Sequence, residues 1–427
     1  MKNKGLIIAL SVVVAAMVLG AVYTAFTINN RTLSEAARKI NAQEIQDNYE
    51  KSEVWGKYYP KHWESFNEGS KYETKTKYGG NNKTDKLKVQ PYLKILYKGT
   101  GYGEEFYEPR SHFYAVQDIG AINPIRTKTG GACLTCKATE VPRLIKTYGD
   151  AFYSKPFSEM YKQVKHPIGC SDCHDPKTND LRISRPALIE AFERQGKDIT
   201  KATKQEMRSL VCAQCHVTYY FQKDTKKTTF PWDNGLKADE VLAYFEKIKF
   251  TEWTHPESQT PMLKARHPDY ELFQGSVHQS AGVACADCHM PYIKQGDSKI
   301  SSHWFTSPVH TMEKSCTQCH REGTEQLKNM VYNIQDQHHE ILDIAGNTNV
   351  KAINAIKQAA ATPGANQKLI EEARQLHRQS QWMWDWVATA NGMGFHNRQE
   401  AAMFLGKSID LAHQAIQTAE KARGAAK

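Results

Sequence analysis

No cysteine in this chain stands alone. All ten fall into five Cys-x-x-Cys pairs, so no thiol is left for another use. No basic run is interleaved with aromatics, which argues against nucleic acid as a partner. The net charge of +10 therefore reads as a mildly basic, soluble surface, one that suits a small anionic substrate. No internal repeat is visible beyond the cysteine pairs. From Tyr92 to about residue 320 no long periodic helix dominates.

Four of the pairs continue directly into histidine: Cys170-x-x-Cys173-His174, Cys212-x-x-Cys215-His216, Cys285-x-x-Cys288-His289 and Cys316-x-x-Cys319-His320. That pentapeptide is the signature of covalent c-type haem attachment, in which the thiols hold the porphyrin and the histidine ligates iron. Structural zinc and redox dithiols also use Cys-x-x-Cys, but neither needs a histidine after every second cysteine. The first pair differs. Cys133-Leu-Thr-Cys136 is followed by Lys137. Five covalently bound haems are expected, four that carry electrons and one that does chemistry. Lysine ligates iron only as the neutral amine, and burial beside a positive iron lowers its pKa in that direction. The alternative leaves Lys137 in solvent and another residue on the iron.

Each transfer haem needs a second axial ligand, and thirteen histidines lie outside the motifs. His377 and His413 fall on regular helical patterns and read as packing or surface residues. His112, His278, His303 and His396 lie in irregular stretches near motifs or at helix breaks, and are better candidates. The sequence does not rank His303 above His310, nor dispose of His166. The open face of the altered haem calls for a cationic donor, a proton-transfer histidine and a tyrosine. Arg110, Tyr219 and His267 meet that need, as do other residues.

Lys2 and Lys4 precede an uncharged run from Gly5 to Ile28, 24 residues long. As a helix it would reach about 36 Å, enough for a bilayer core. The positive end stays cytoplasmic and the remainder is exported. Leu19, Val22 and Tyr23 crowd the cleavage positions near Ala21 and Ala25, so an uncleaved anchor is expected over a signal segment. The division is then 1–30 as anchor or signal and 31–427 as an extracytoplasmic catalytic domain. Thr32 and Glu35 form a capping-box pattern for a polar helix over 32–52. Residues 68–90 read as a surface excursion, and 221–275 as an insertion holding a helix over 238–248. Beyond the last motif, apolar residues step by three and four, broken at Thr362-Pro-Gly364 and at Gly392 and Gly394. Long helices over 323–423 are expected, as core or as a dimer interface. The fold class is mainly α, a multihaem cytochrome c fold of short helices and loops around five haems.

The order of the motifs, Lys first and then four His, resembles the cytochrome c nitrite reductases, the ammonia-forming pentahaem enzymes. So do Glu108-Pro-Arg-Ser-His-Phe-Tyr-Ala115, Cys212–Phe221, Phe230-Pro-Trp-Asp-Asn-Gly235, Thr260–Pro268 and Cys285–Pro291. The resemblance implies reduction of nitrite to ammonium, with Lys137 as proximal ligand and Arg110, Tyr219 and His267 in the distal pocket. It selects His112, His278, His303 and His396 as the other distal ligands, without pairing them to haems. It implies a homodimer through the C-terminal helices and a quinol-oxidising membrane cytochrome as electron donor. Many relatives hold calcium beside the active site through a glutamate and a glutamine. Thr218 and Arg266 stand at those positions here, so calcium is expected to be absent, its charge replaced by the guanidinium. Hydroxylamine or sulfite reduction at the same centre, and a pentahaem electron carrier, are the competing readings.

Overall fold

The computed structural model describes residues 3–40, 42–71, 74–295 and 298–424. It opens with one long helix, α1 (Asn3–Ile40), whose stretch Ile7–Asn29 is apolar, long enough to cross a membrane and covered by no other part of the chain. The expected fresh start at Thr32 does not occur. Residues 29–40 contain neither proline nor glycine, and extending a helix costs less than nucleating another. Lys2 and the Thr32 and Glu35 side chains lie outside the described residues.

From residue 42 to 320 the chain folds as short helices and turns. Two matter below: α2 (Lys204–Ala213), which runs into the third motif, and α3 (Asp269–Phe273). The capping box of α2 is complete, with Thr203 Oγ1 accepting from Glu206 N and the Glu206 carboxylate accepting from Thr203 N. The only strands among the described residues are four two-stranded antiparallel ribbons. One pairs Tyr220 with Thr229, and another pairs Trp253 with Met262, flanking the segment that holds His267.

Three long helices close the chain: α4 (Thr324–Ala361), α5 (Gln367–Ala388) and α6 (Arg398–Gly424). The breaks fall where Pro363-Gly364 and Gly392 to Gly394 stand, and Gly394 takes a left-handed backbone (φ 79°) that other residues rarely adopt. Where the three helices cross, Ser380 Oγ donates to Asn349 Oδ1 (2.8 Å) while Asn349 Nδ2 donates to Ser408 Oγ (3.2 Å). Small polar residues let the backbones approach, and their hydrogen bonds satisfy one another.

The stretch 221–275, expected as an insertion between motifs, contributes to the main core. Phe230, Trp232, Val241 and Phe245 are buried in one apolar cluster with Trp382, Trp386 and Phe404 of the C-terminal helices. Trp382 Nε1 also donates to Ala238 O at 2.7 Å. Burying a tryptophan ring removes a large apolar area from water, which fixes this segment against α5.

Candidate cofactor sites and catalytic pocket

The local fold prepares each thiol pair. In the second and fourth motifs an aspartate between the cysteines turns back on its own helix start. Asp172 Oδ2 accepts from Gly169 N (2.7 Å), and Asp287 Oδ2 accepts from Ala284 N (2.8 Å). All ten cysteines are free thiols. Cys136 neighbours Cys215 within hydrogen-bond range, and Cys212 neighbours Cys285. The first, third and fourth motifs therefore lie in sequence along one path.

Four histidine pairs join a motif histidine to one of the four candidates, while His216 also lies 6.4 Å from His267, and His303 5.1 Å from His62. Ring centroids of His112 and His216 are 6.1 Å apart, His174 and His303 6.2 Å, His278 and His320 6.3 Å, and His289 and His396 6.3 Å. A metal bound by two opposed imidazoles at ~2 Å per bond would separate their centroids by about 6.4 Å. Each pair joins one motif histidine to one histidine outside the motifs, and every motif histidine is used. Together with ten unpaired thiols, this donor set fits covalently held haem. Burial pushes His112 and His289 down to about 4 and His303 to about 3, keeping the rings neutral as metal ligation requires. For His216 and His396 burial pushes the same way, but the Asp269 carboxylate outweighs it and raises both.

The remaining candidates lie elsewhere. His310 stacks on Trp304, and His166 Nδ1 meets Glu140 Oε1 at 2.7 Å. His377 is buried packing, its Nδ1 3.0 Å from Thr260 Oγ1, and His413 is exposed.

Around Lys137 the pocket residues come partly together. Tyr219 and His267 have ring centroids 6.4 Å apart. Burial first, then the nearby positive charge of Lys137, lowers His267 to about 3. Arg110 sits two residues before His112 and is held by Asp118, with Nε 2.9 Å from Oδ1 and the guanidinium 4.0 Å from the Tyr114 ring centre. Asp118 thereby fixes it as a cation on the segment that carries His112.

Arg266 occupies a tight cage. Its Nη1 donates to Glu252 Oε2 (2.7 Å), Lys264 O (2.9 Å) and Tyr219 O (3.4 Å), and Nη2 donates to Glu252 Oε1. Its guanidinium lies 5.3 Å from the Tyr219 ring centre. Thr218 is buried beside it, and Thr218 Oγ1 accepts from Arg266 N (3.2 Å). The cation thus gathers backbone carbonyls and a carboxylate, the kind of oxygen donors a hard metal ion would take.

Several residues here were not singled out from the sequence. Glu271 Oε1 accepts from Thr218 N (2.8 Å) and Trp232 Nε1 (3.0 Å), steadying the backbone before Tyr219. Asp385 of α5 accepts from Ala265 N (2.8 Å), Lys264 Nζ (2.8 Å) and the Tyr97 hydroxyl. It pins the backbone that leads to Arg266 and His267. A carboxylate beyond 380 carries no local sign of such reach. Asp269, two residues after His267, did lie in plain view.

Comparison with known proteins places the chain. Residues 51–426 match the model of the cytochrome c552 family. A cytochrome c-552 of Bacteroides fragilis is 42% identical over 375 residues, covering 86% of this chain and 76% of that one. The cytochrome c nitrite reductase subunit NrfA of Nitratidesulfovibrio vulgaris is 38% identical, covering 89% and 80%. The solved cytochrome c nitrite reductase of Desulfovibrio desulfuricans, whose catalytic subunit has two calcium sites, superposes with a TM-score of 0.84 at 34% identity, covering 88% and 86%. The chain belongs to the cytochrome c552 family.

Proposed function

We propose that this protein is a multihaem nitrite reductase that forms ammonium, consuming six electrons and eight protons per nitrite and releasing two waters. The observation that supports it best is the contrast among the five motifs. Four motif histidines face a second histidine at metal-spanning distance, whereas the first motif offers Lys137, whose charge acts on His267, itself next to Tyr219. The relatives described above add weight.

In this reading, haem held by Cys133 and Cys136, with Lys137 on its iron, supplies electrons and a metal that accepts nitrite nitrogen. The chain supplies charge and protons. Arg110, fixed by Asp118, offers a cation to the nitrite oxygens without reorganising. His267 is neutral in the resting pocket, so it donates one N–H to an oxygen of the anion. The arriving negative charge raises the imidazole pKa and prepares it to take up and pass on a proton. Tyr219 adds a hydroxyl on the same side. Haems ligated by the four histidine pairs carry electrons from an external donor, a quinol-oxidising membrane cytochrome. Arg266 stands in for calcium beside the pocket. Dimerisation through α4 to α6 and anchorage by α1 on the outer face of the membrane complete the reading.

A nitrite-to-ammonium assay with a reduced viologen donor, run with and without EDTA, tests it. Stoichiometric ammonium with unchanged rate in EDTA is expected. Absence of nitrite turnover in fully haem-loaded protein favours an electron carrier. Loss of rate in EDTA that returns with Ca²⁺ sinks the replacement by Arg266.

A further inference from the structure

We infer that Asp269 tunes the reduction potentials of two haems at once, through a single buried carboxylate shared by two axial histidines. Its Oδ2 lies 3.4 Å from His216 Nδ1, and its Oδ1 lies 3.3 Å from His396 Nδ1. The two rings belong to different pairs, His216 with His112 and His396 with His289. The inference rests on those pairs being axial ligands, as proposed above.

The other motif-associated histidines with a partner at Nδ1 are treated differently. His174 faces Asn179 O (2.9 Å), His289 faces Thr306 O (3.0 Å) and His303 faces Ser301 O (3.0 Å). Those acceptors are neutral carbonyls. His320 has Glu322 at 3.7 Å, but both side chains are close to half exposed and water screens the contact. Asp269 alone among them brings a buried negative charge to the imidazole nitrogen remote from the metal.

A carboxylate accepting from a ligand imidazole, as Asp269 does from His216, raises the ring's basicity, and the stronger donor favours the higher oxidation state of the metal, whereas His396 Nδ1 makes no hydrogen bond and feels the charge alone. The fixed negative charge acts in the same direction, with little screening at a buried position. Both effects lower the potential. The carboxylate cannot turn away, because Asn391 N donates to Oδ1 (2.8 Å) and Asn391 Nδ2 to Oδ2 (2.6 Å). Asp269 N also donates to His267 O (2.7 Å), and Tyr270 N to His216 O (3.1 Å). One short turn therefore joins the pocket histidine, two electron-carrying centres and the loop before α6. The third motif touches the altered first motif through Cys215 and Cys136. Electrons arriving at these two centres, of which the third-motif one adjoins the pocket, thus leave them readily.

The test is a redox titration of the purified, fully haem-loaded protein followed by electron paramagnetic resonance, for wild type, Asp269→Asn and Asn391→Ala. In Asp269→Asn, two of the four bis-imidazole signals should titrate at more positive potential while the other two stay in place. In Asn391→Ala the carboxylate loses the side-chain donor that holds Oδ2 in place, so the same two signals should move in the same direction, by less. Four unmoved signals, or four that move equally, would overturn the inference. Should Asp269→Asn fail to load haem, the Asn391→Ala titration decides alone by the same criterion. Fewer than four bis-imidazole signals in the wild type would overturn the axial pairing instead.

Discussion

The three C-terminal helices bury their own side chains. Ile353, Trp384 and Leu405 are sealed in a continuous core, and the helix crossing satisfies its own polar groups. Between residues 42 and 320 the protein is put together differently. Its helices are mostly one or two turns long, its ribbons have two strands, and ten thiols with four histidine pairs line what lies between. Helices this short do not hold by themselves. The difference teaches that one region coheres through long-helix packing, whereas the other adds to its apolar clusters the sites where ligated groups would bind it together. Lys264 and Asp385 tie the two, since a helix of the first kind clamps a pocket segment of the second.

The largest effect should come from the second region. Lys137→His should change nitrite turnover by roughly 10–100-fold, the range for altering groups that set a metal's ligand field. Haem content and the melting of the C-terminal helices should stay as in the wild type. Unaltered nitrite kinetics would remove Lys137 from the centre and blur the contrast among the five motifs.

Cutting the tie comes next. Lys264→Met leaves Asp385 buried without its cation, a loss of about 3–5 kcal/mol. Denaturant unfolding followed in the haem absorption band should show the midpoint falling, with turnover lost at denaturant levels the wild type survives. An unchanged midpoint would mean that the two regions hold independently.

The smallest effect probes one motif from within. Asp287 is pulled up by burial, but hydrogen bonds from Ala284 N, Arg208 and Gln205 outweigh this and hold its carboxyl low. A depressed folded pKa stabilises above the unfolded value near ~3.9, and the benefit is lost as pH falls through the folded pKa. Asp287→Asn should therefore destabilise the protein by less than about 1 kcal/mol at pH 7 and not at pH 2 to 3. Equal destabilisation at both pH values would assign the effect to shape alone.

Much of this was legible in the residues. Cysteine spacing marked the five motifs, and the Pro363-Gly364 and Gly392 to Gly394 breaks divided the last hundred residues into the helices observed. The histidines brought opposite the motifs are the four the sequence favoured. Their pairing was hidden, because it follows no order along the chain: His112 crosses to His216, and His303 reaches back to His174. Periodicity reports which face of a helix is apolar, and it is silent on which distant turn supplies a nitrogen. The same limit hid that Phe230 and Trp232, in the stretch read as an insertion, belong to the main core. At Thr32 the local capping pattern lost to simple continuation of a helix already formed.

The contact between His289 and His396 bears on biogenesis. In a chain exported from its N-terminus, Cys285 and Cys288 emerge long before His396, which waits for the whole of α4 and α5. Thiol linkage at that motif needs only the local peptide, whereas the opposing nitrogen arrives with the last helices. On the proposed function, maturation of this centre would have an early covalent stage and a late closing stage, and a chain cut short before residue 396 would lack the nitrogen that faces His289.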